Sequence, residues 1–234
     1  LVAAVLVATS PSFLYQVVQP MSDVPATAWW LAAVALLLSA GPARHALAGL
    51  ASGVALLTRP NLAPLLLVGW AMARWRAQWP NRSETSGPQP ARAAWIYALG
   101  ALPALLFLAG VNTHLYGAPW RSGYGTTAEL FSLRHVEANL RFYTGWLVET
   151  HLPLVALTLA GLVLPTIERR HARSWRSPAD EGWPPPMRDR QPLVVWLIVF
   201  ALIVLGVYLL YAPFESWTYL RFLLPATAAA ASVA

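Results

Sequence analysis

Apolar runs recur along nearly the whole chain, at about 1–10, 25–41, 46–58, 62–74, 94–112, 152–166, 193–212 and 222–234, with the polar residues confined between them. A single aqueous core cannot absorb that much apolar surface, so the chain is expected in lipid. There, every backbone polar group must be satisfied within helices or a closed barrel. A barrel would need alternating strands of about ten residues, and that alternation is absent. The expected fold class is therefore all-α: a polytopic membrane protein of about eight transmembrane helices. A full span takes about 20 residues, so the runs at the two ends read as truncated helices and the chain as an internal piece of a longer membrane protein. Charge agrees with this placement, because only 11% of residues are charged, against about 25% in an ordinary soluble domain. Residues 1–234 are expected to form a single transmembrane domain. Within it, 167–192 reads as a polar, proline-rich cytoplasmic linker loop, too hydrated and stiff for a folded unit.

The basic residues set the orientation. All 16 are arginine, and the net charge is +6. They are scattered between apolar runs instead of forming one basic face, which argues against a nucleic-acid partner. One set of connections holds 11 of them (Arg44, Arg74, Arg76, Arg82, Arg92, Arg169, Arg170, Arg173, Arg176, Arg188, Arg190), the other five (Arg59, Arg121, Arg134, Arg141, Arg221). By the positive-inside rule the richer set is cytoplasmic. The loops rich in Tyr, Trp, Gly and His, at 11–24, 59–61, 113–151 and 213–221, then face outward. There is no cysteine, which excludes disulfide and thiolate-metal chemistry. No phosphate-binding glycine loop, nucleophile elbow or His-Glu-x-x-His motif occurs either.

Two short apolar segments flank Thr58-Arg59-Pro60-Asn61, a turn expected below the outer surface. The long outer connection begins with NTHLYGAPWRSGYG. It continues from Ala128 to Tyr143 with Leu130, Leu133, Val136, Leu140 and Tyr143 at helical spacing, which predicts a juxtamembrane amphipathic helix. Glu137 and Arg141 can pair across one turn.

Few residues on the outer side can carry chemistry. Asp23 precedes an apolar helix and reads either as an N-terminal cap helped by Ser22 and Pro25, or as a carboxylate at a cavity mouth acting as base or metal ligand. Arg59 is either a snorkelling side chain or an intramembrane charge with a function. Arg121 beside Tyr124, and Arg221 beside Glu215, sit among aromatic residues; they read as interfacial anchors or as clamps on a phosphate, which guanidinium forks fit. His114, Tyr124 and Glu215 are candidates for a substrate-cavity wall. The histidines have no metal-ligand spacing.

SPSFLYQVVQPMSDVPAT, AGLASGVALLTRPNLAPLLL, NTHLYGAPWRSGYG and WTYLRFLLPA, in that order, resemble the bacterial multi-spanning C-type glycosyltransferases related to protein mannosyltransferases and to the aminoarabinose transferases of lipid A. The resemblance implies an inner-membrane enzyme with its active side in the periplasm. It would move a sugar from a polyprenyl-phosphate donor to a lipid, glycan or protein acceptor. It further implies a main catalytic carboxylate in an earlier outer loop, ahead of residue 1. Asp23 would then match the acidic position of the second outer loop, Arg59 the basic residue after the short helix, and Arg121 and Tyr124 the cavity wall. No cofactor is implied beyond a divalent cation, which arginine can replace in neutralising the departing phosphate. A secondary transporter with a broken helix at the Arg-Pro turn, or a surface-polysaccharide polymerase or ligase, are the alternative readings.

Overall fold

The computed structural model describes residues 2–19, 21–39, 41–76, 89–123, 127–174, 190–214 and 216–232. Among them the fold is built of helices, with an isolated antiparallel bridge between Phe131 and Tyr211 and no strand. The helices are α1 (Val2–Ala8), α2 (Pro11–Val17), α3 (Asp23–Leu37), α4 (Pro42–Thr58), α5 (Leu65–Arg76), α6 (Pro90–Tyr116), α7 (Thr127–Leu130), α8 (Val136–Ser174), α9 (Arg190–Leu210) and α10 (Leu224–Ala231). Short 3-10 turns lie at Pro60–Leu62, Leu133–His135 and Trp217–Leu223. Among the described residues two helices are long and apolar enough to cross a membrane, Pro90–Tyr116 and the Leu193–Leu210 part of α9. Two further apolar helices are shorter: Asp23–Leu37 has 15 residues and Leu65–Arg76 has 12. Membrane placement agrees with the surface of α6, where Trp95, Leu99, Leu102 and Leu106 form an exposed apolar row at helical spacing, a face that water would penalise.

The centre of the bundle is the α4–α6 contact, and small residues make it possible. A Cβ on Gly49 would overlap the Tyr97 carbonyl oxygen, one on Gly100 the Ala46 carbonyl oxygen, and one on Gly53 would come within 2.7 Å of the Ala104 methyl. Gly49 faces Tyr97 to Ala101, and Gly53 faces Ala101 to Ala104, so the two helices run parallel, backbone against backbone. In lipid, where apolar side chains gain nothing by leaving their surroundings, such close approach is the main source of helix association. Tyr97 fills the space that remains: its hydroxyl donates to Ser52 Oγ at 2.8 Å and its ring lies against Gly69 of α5. On the other side, Trp30, Val34 and Leu37 of α3 pack with Leu197, Phe200 and Val204 of α9 into one apolar core.

Three local expectations are corrected. The 11–24 connection is not all loop, because Ser10 caps a short helix that Pro11 opens, its Oγ accepting from the Phe13 N–H. The amphipathic helix does not run unbroken from Ala128 to Tyr143. The backbone at 130–132 instead pairs with the end of α9, the Ser132 N–H with the Leu210 carbonyl at 2.8 Å and the Ala212 N–H with the Leu130 carbonyl at 2.9 Å. Those bonds compete with helix formation, and α8 starts only at Val136. Asn139 and Tyr143 of α8 are buried, whereas Leu133 and Leu140 are exposed. The Glu137–Arg141 pair forms, at 2.7 Å. Finally, α8 kinks at His151 (φ −127°, ψ 20°) and stays helical to Ser174. Helix α9 begins at Arg190, so both ends of the expected 167–192 linker are helical, and 175–189 lies outside the described residues.

Candidate functional site

The start of α3, the end of α4, the end of α9 and the Trp217–Leu223 turn meet at one end of the bundle. Local chemistry aims a charged side chain from each of three of these. Pro60 disfavours the helical conformation for the residue before it, so Arg59 takes φ −143°, ψ 83° after giving its N–H to the Ala55 carbonyl. The Arg-Pro turn thus throws the arginine off the axis of α4. Asp23 is the first residue of α3, and its carbonyl accepts from the Thr27 hydroxyl at 2.7 Å. Ser22 makes no side-chain cap, and the Asp23 carboxylate turns inward instead of capping. Arg221 is held by the tight turn that follows Ser216, whose Oγ accepts from the Thr218 N–H.

These three residues form one buried cluster. The Arg59 guanidinium hydrogen-bonds and ion-pairs with Asp23 Oδ1, and Arg221 Nε lies 3.6 Å from Oδ2. The Asp23 side chain is 3% exposed, Arg59 13% and Arg221 15%. Two guanidinium groups thus share one carboxylate, leaving an excess positive charge away from water. The excess is softened by aromatic faces: Arg59 Cζ sits 4.7 Å from the Phe222 ring centre, and Arg221 Cζ 4.7 Å from that of Tyr219 and 5.3 Å from that of Phe222. Phe222 in turn stacks on Tyr208 at 4.9 Å. Asp23 Oδ2, Arg59 Nε and Arg221 Nε are buried with no hydrogen-bond partner among the described residues. Buried groups of this kind are normally satisfied, so the two guanidinium N–H groups have hydrogen-bonding capacity to spare for an anion, whereas Asp23 Oδ2 can only accept.

Tyr208 and Asn139 fix the surroundings, and sequence reasoning missed both. Arg59 Nη1 donates to the Tyr208 hydroxyl at 3.4 Å. Asn139 Nδ2 faces the carbonyl oxygens of Tyr208, Leu209 and Tyr211 at 3.1, 3.0 and 2.6 Å, taking up the unpaired carbonyls at the end of α9. A lone polar Asn on the predicted helix was the one available signal. Tyr143 is buried, and that burial pushes its phenol well above the ordinary tyrosine range, so it is a neutral neighbour of Arg59. Asn139→Leu should lower stability by about 1–3 kcal/mol, the cost of unpaired buried carbonyls. Unfolding in detergent would measure it, and a change below about 0.5 kcal/mol would mean that other donors reach these oxygens.

Asp23, Arg59 and Arg221, separated along the chain, are brought together. His114 and Arg121 are not: both are exposed near the end of α6, and neither bonds to the cluster among the described residues. Tyr124 and Glu215 lie outside the described residues. The cluster does not suit a divalent cation, because its single carboxylate faces arginine on both oxygens, and no group of three or more His, Asp or Glu that could hold a metal occurs among the described residues. Comparison with protein families, with curated proteins and with solved structures finds no match for this chain.

Proposed function

We propose that the chain belongs to a membrane glycosyltransferase that takes a sugar from a polyprenyl-phosphate donor and passes it to a lipid, glycan or protein acceptor on the periplasmic side. The observation that carries this reading is the Asp23–Arg59–Arg221 cluster: two partly buried arginines per buried carboxylate, with unpaired N–H groups, at the end of the bundle that the arginine count assigns to the outside. In this reading the polypeptide crosses the bilayer about eight times, the shorter helices spanning through local thinning and snorkelling of flanking residues.

The donor's phosphate would meet Arg59 and Arg221, whose charge stabilises the anion that departs when the bond from sugar carbon to phosphate oxygen breaks. Asp23 holds both guanidinium groups in position. Since its oxygens are engaged by arginine, it is poorly placed to deprotonate an acceptor, and the base is assigned to another carboxylate of the intact protein. A single positive excess is enough to favour a phosphate over a neutral headgroup in a low-dielectric pocket.

The test is transfer from labelled polyprenyl-phosphate sugar by the intact protein in proteoliposomes. Arg221→Gln should raise KM for the donor by roughly 10-fold or more, the loss of one charge-assisted contact of about 1.5–3 kcal/mol. Donor-independent solute flux that needs Arg59 would make the protein a transporter instead.

A further inference from the structure

Helix α2 is inside out. Leu14, Val17 and, just beyond its end, Val18 are 55, 56 and 80% exposed, whereas Ser12 and Gln16 are 4 and 2% exposed. They stand four residues apart and so share one face. A short helix in lipid turns its apolar side outward, and its polar side must then face protein or a polar cavity. Here α2 packs against the Trp217–Leu223 turn, which holds Arg221, and against α3, which opens with Asp23. Yet Ser12 Oγ and Gln16 Oε1, both buried, have no hydrogen-bond partner among the described residues. An apolar pair would pack as well without leaving these groups unpaired, so packing alone does not account for them.

We propose that Ser12 and Gln16 form a subsite for the hydroxyl groups of the donor sugar, beside the arginine pair that takes its phosphate. The proposal rests on the transferase reading above. Its chemistry is complementary: Gln16 Oε1 can only accept a hydrogen bond and Ser12 Oγ can give or accept one. Both are neutral, so they suit O–H groups and not a second anion. A neutral polar face on a helix packed against the turn that carries Arg221 matches a sugar ring joined to a phosphate.

Equilibrium binding to the intact protein in lipid nanodiscs tests this, with undecaprenol, undecaprenyl phosphate, and undecaprenyl phosphate carrying glucose or mannose as probes. Gln16→Leu and Ser12→Ala should each weaken the better-bound glycosylated lipid about tenfold, because its hydroxyls lose a buried partner, while bare undecaprenyl phosphate stays within about twofold. Equal weakening of both lipids, no weakening of either, or wild-type protein that binds neither sugar-bearing lipid better than the bare phosphate would overturn the subsite. Wild-type protein that binds undecaprenyl phosphate no better than undecaprenol would instead overturn the transferase reading.

Discussion

Asp23→Asn is expected to destabilise the intact protein by about 3–5 kcal/mol and to abolish function, because it leaves two buried guanidinium groups with no counter-charge. The size follows from burial: with Asp23 3% exposed, little water is available to take over from the lost carboxylate. The same argument predicts compensation. Adding Arg59→Met to Asp23→Asn should recover much of the loss, since one cation beside aromatic faces is easier to house than two. Denaturant unfolding of the single and double variants in detergent gives the coupling between the sites. A cost below about 1 kcal/mol for Asp23→Asn would put the cluster in contact with water and class it with ordinary surface pairs.

The second large effect concerns the α4–α6 contact. Gly100→Ala should cost about 2–3 kcal/mol, because its new methyl would occupy the position of the Ala46 carbonyl oxygen and force two backbones apart. Gly110 lies on the same helix, and a methyl group there would meet nothing within 4 Å, so Gly110→Ala should be neutral or stabilising by up to about 1 kcal/mol. The opposite signs make the comparison specific. If both substitutions behaved alike, intrinsic helix propensity would outweigh the close approach, and the packing described for Gly49, Gly53 and Gly100 would be wrong. Because α4 ends at Arg59, shifting it by an ångström would also misplace the guanidinium, so loss of activity in Gly100→Ala should accompany the loss of stability.

Much of the local structure was legible. Apolar length marked the helices, since backbone hydrogen bonding in lipid leaves few alternatives, and the Arg-Pro pair marked the end of α4 because proline constrains the residue before it. Less legible was anything set by contact between elements. The break at 131–135 depends on backbone pairing with the end of α9, which no spacing within the loop reveals, and the inward turn of Asn139 depends on the carbonyls it meets there. The candidate site was divided in the same way. Asp23, Arg59 and Arg221 stood out as charges at the edges of apolar runs, but so did Arg121, which the fold leaves exposed.

Sequence alone determined the helical class, the end of α4 and the short set of suspect charges, because hydrophobic length, proline geometry and the cost of a charge in lipid are local properties. Tertiary structure alone decided which of those charges meet. Asp23 and Arg59 are 36 residues apart, and Arg59 and Tyr208 are 149 apart. Their convergence depends on helix neighbours selected by many small fits, the glycine contacts of α4 and α6 foremost, and none of those fits is encoded in any single segment.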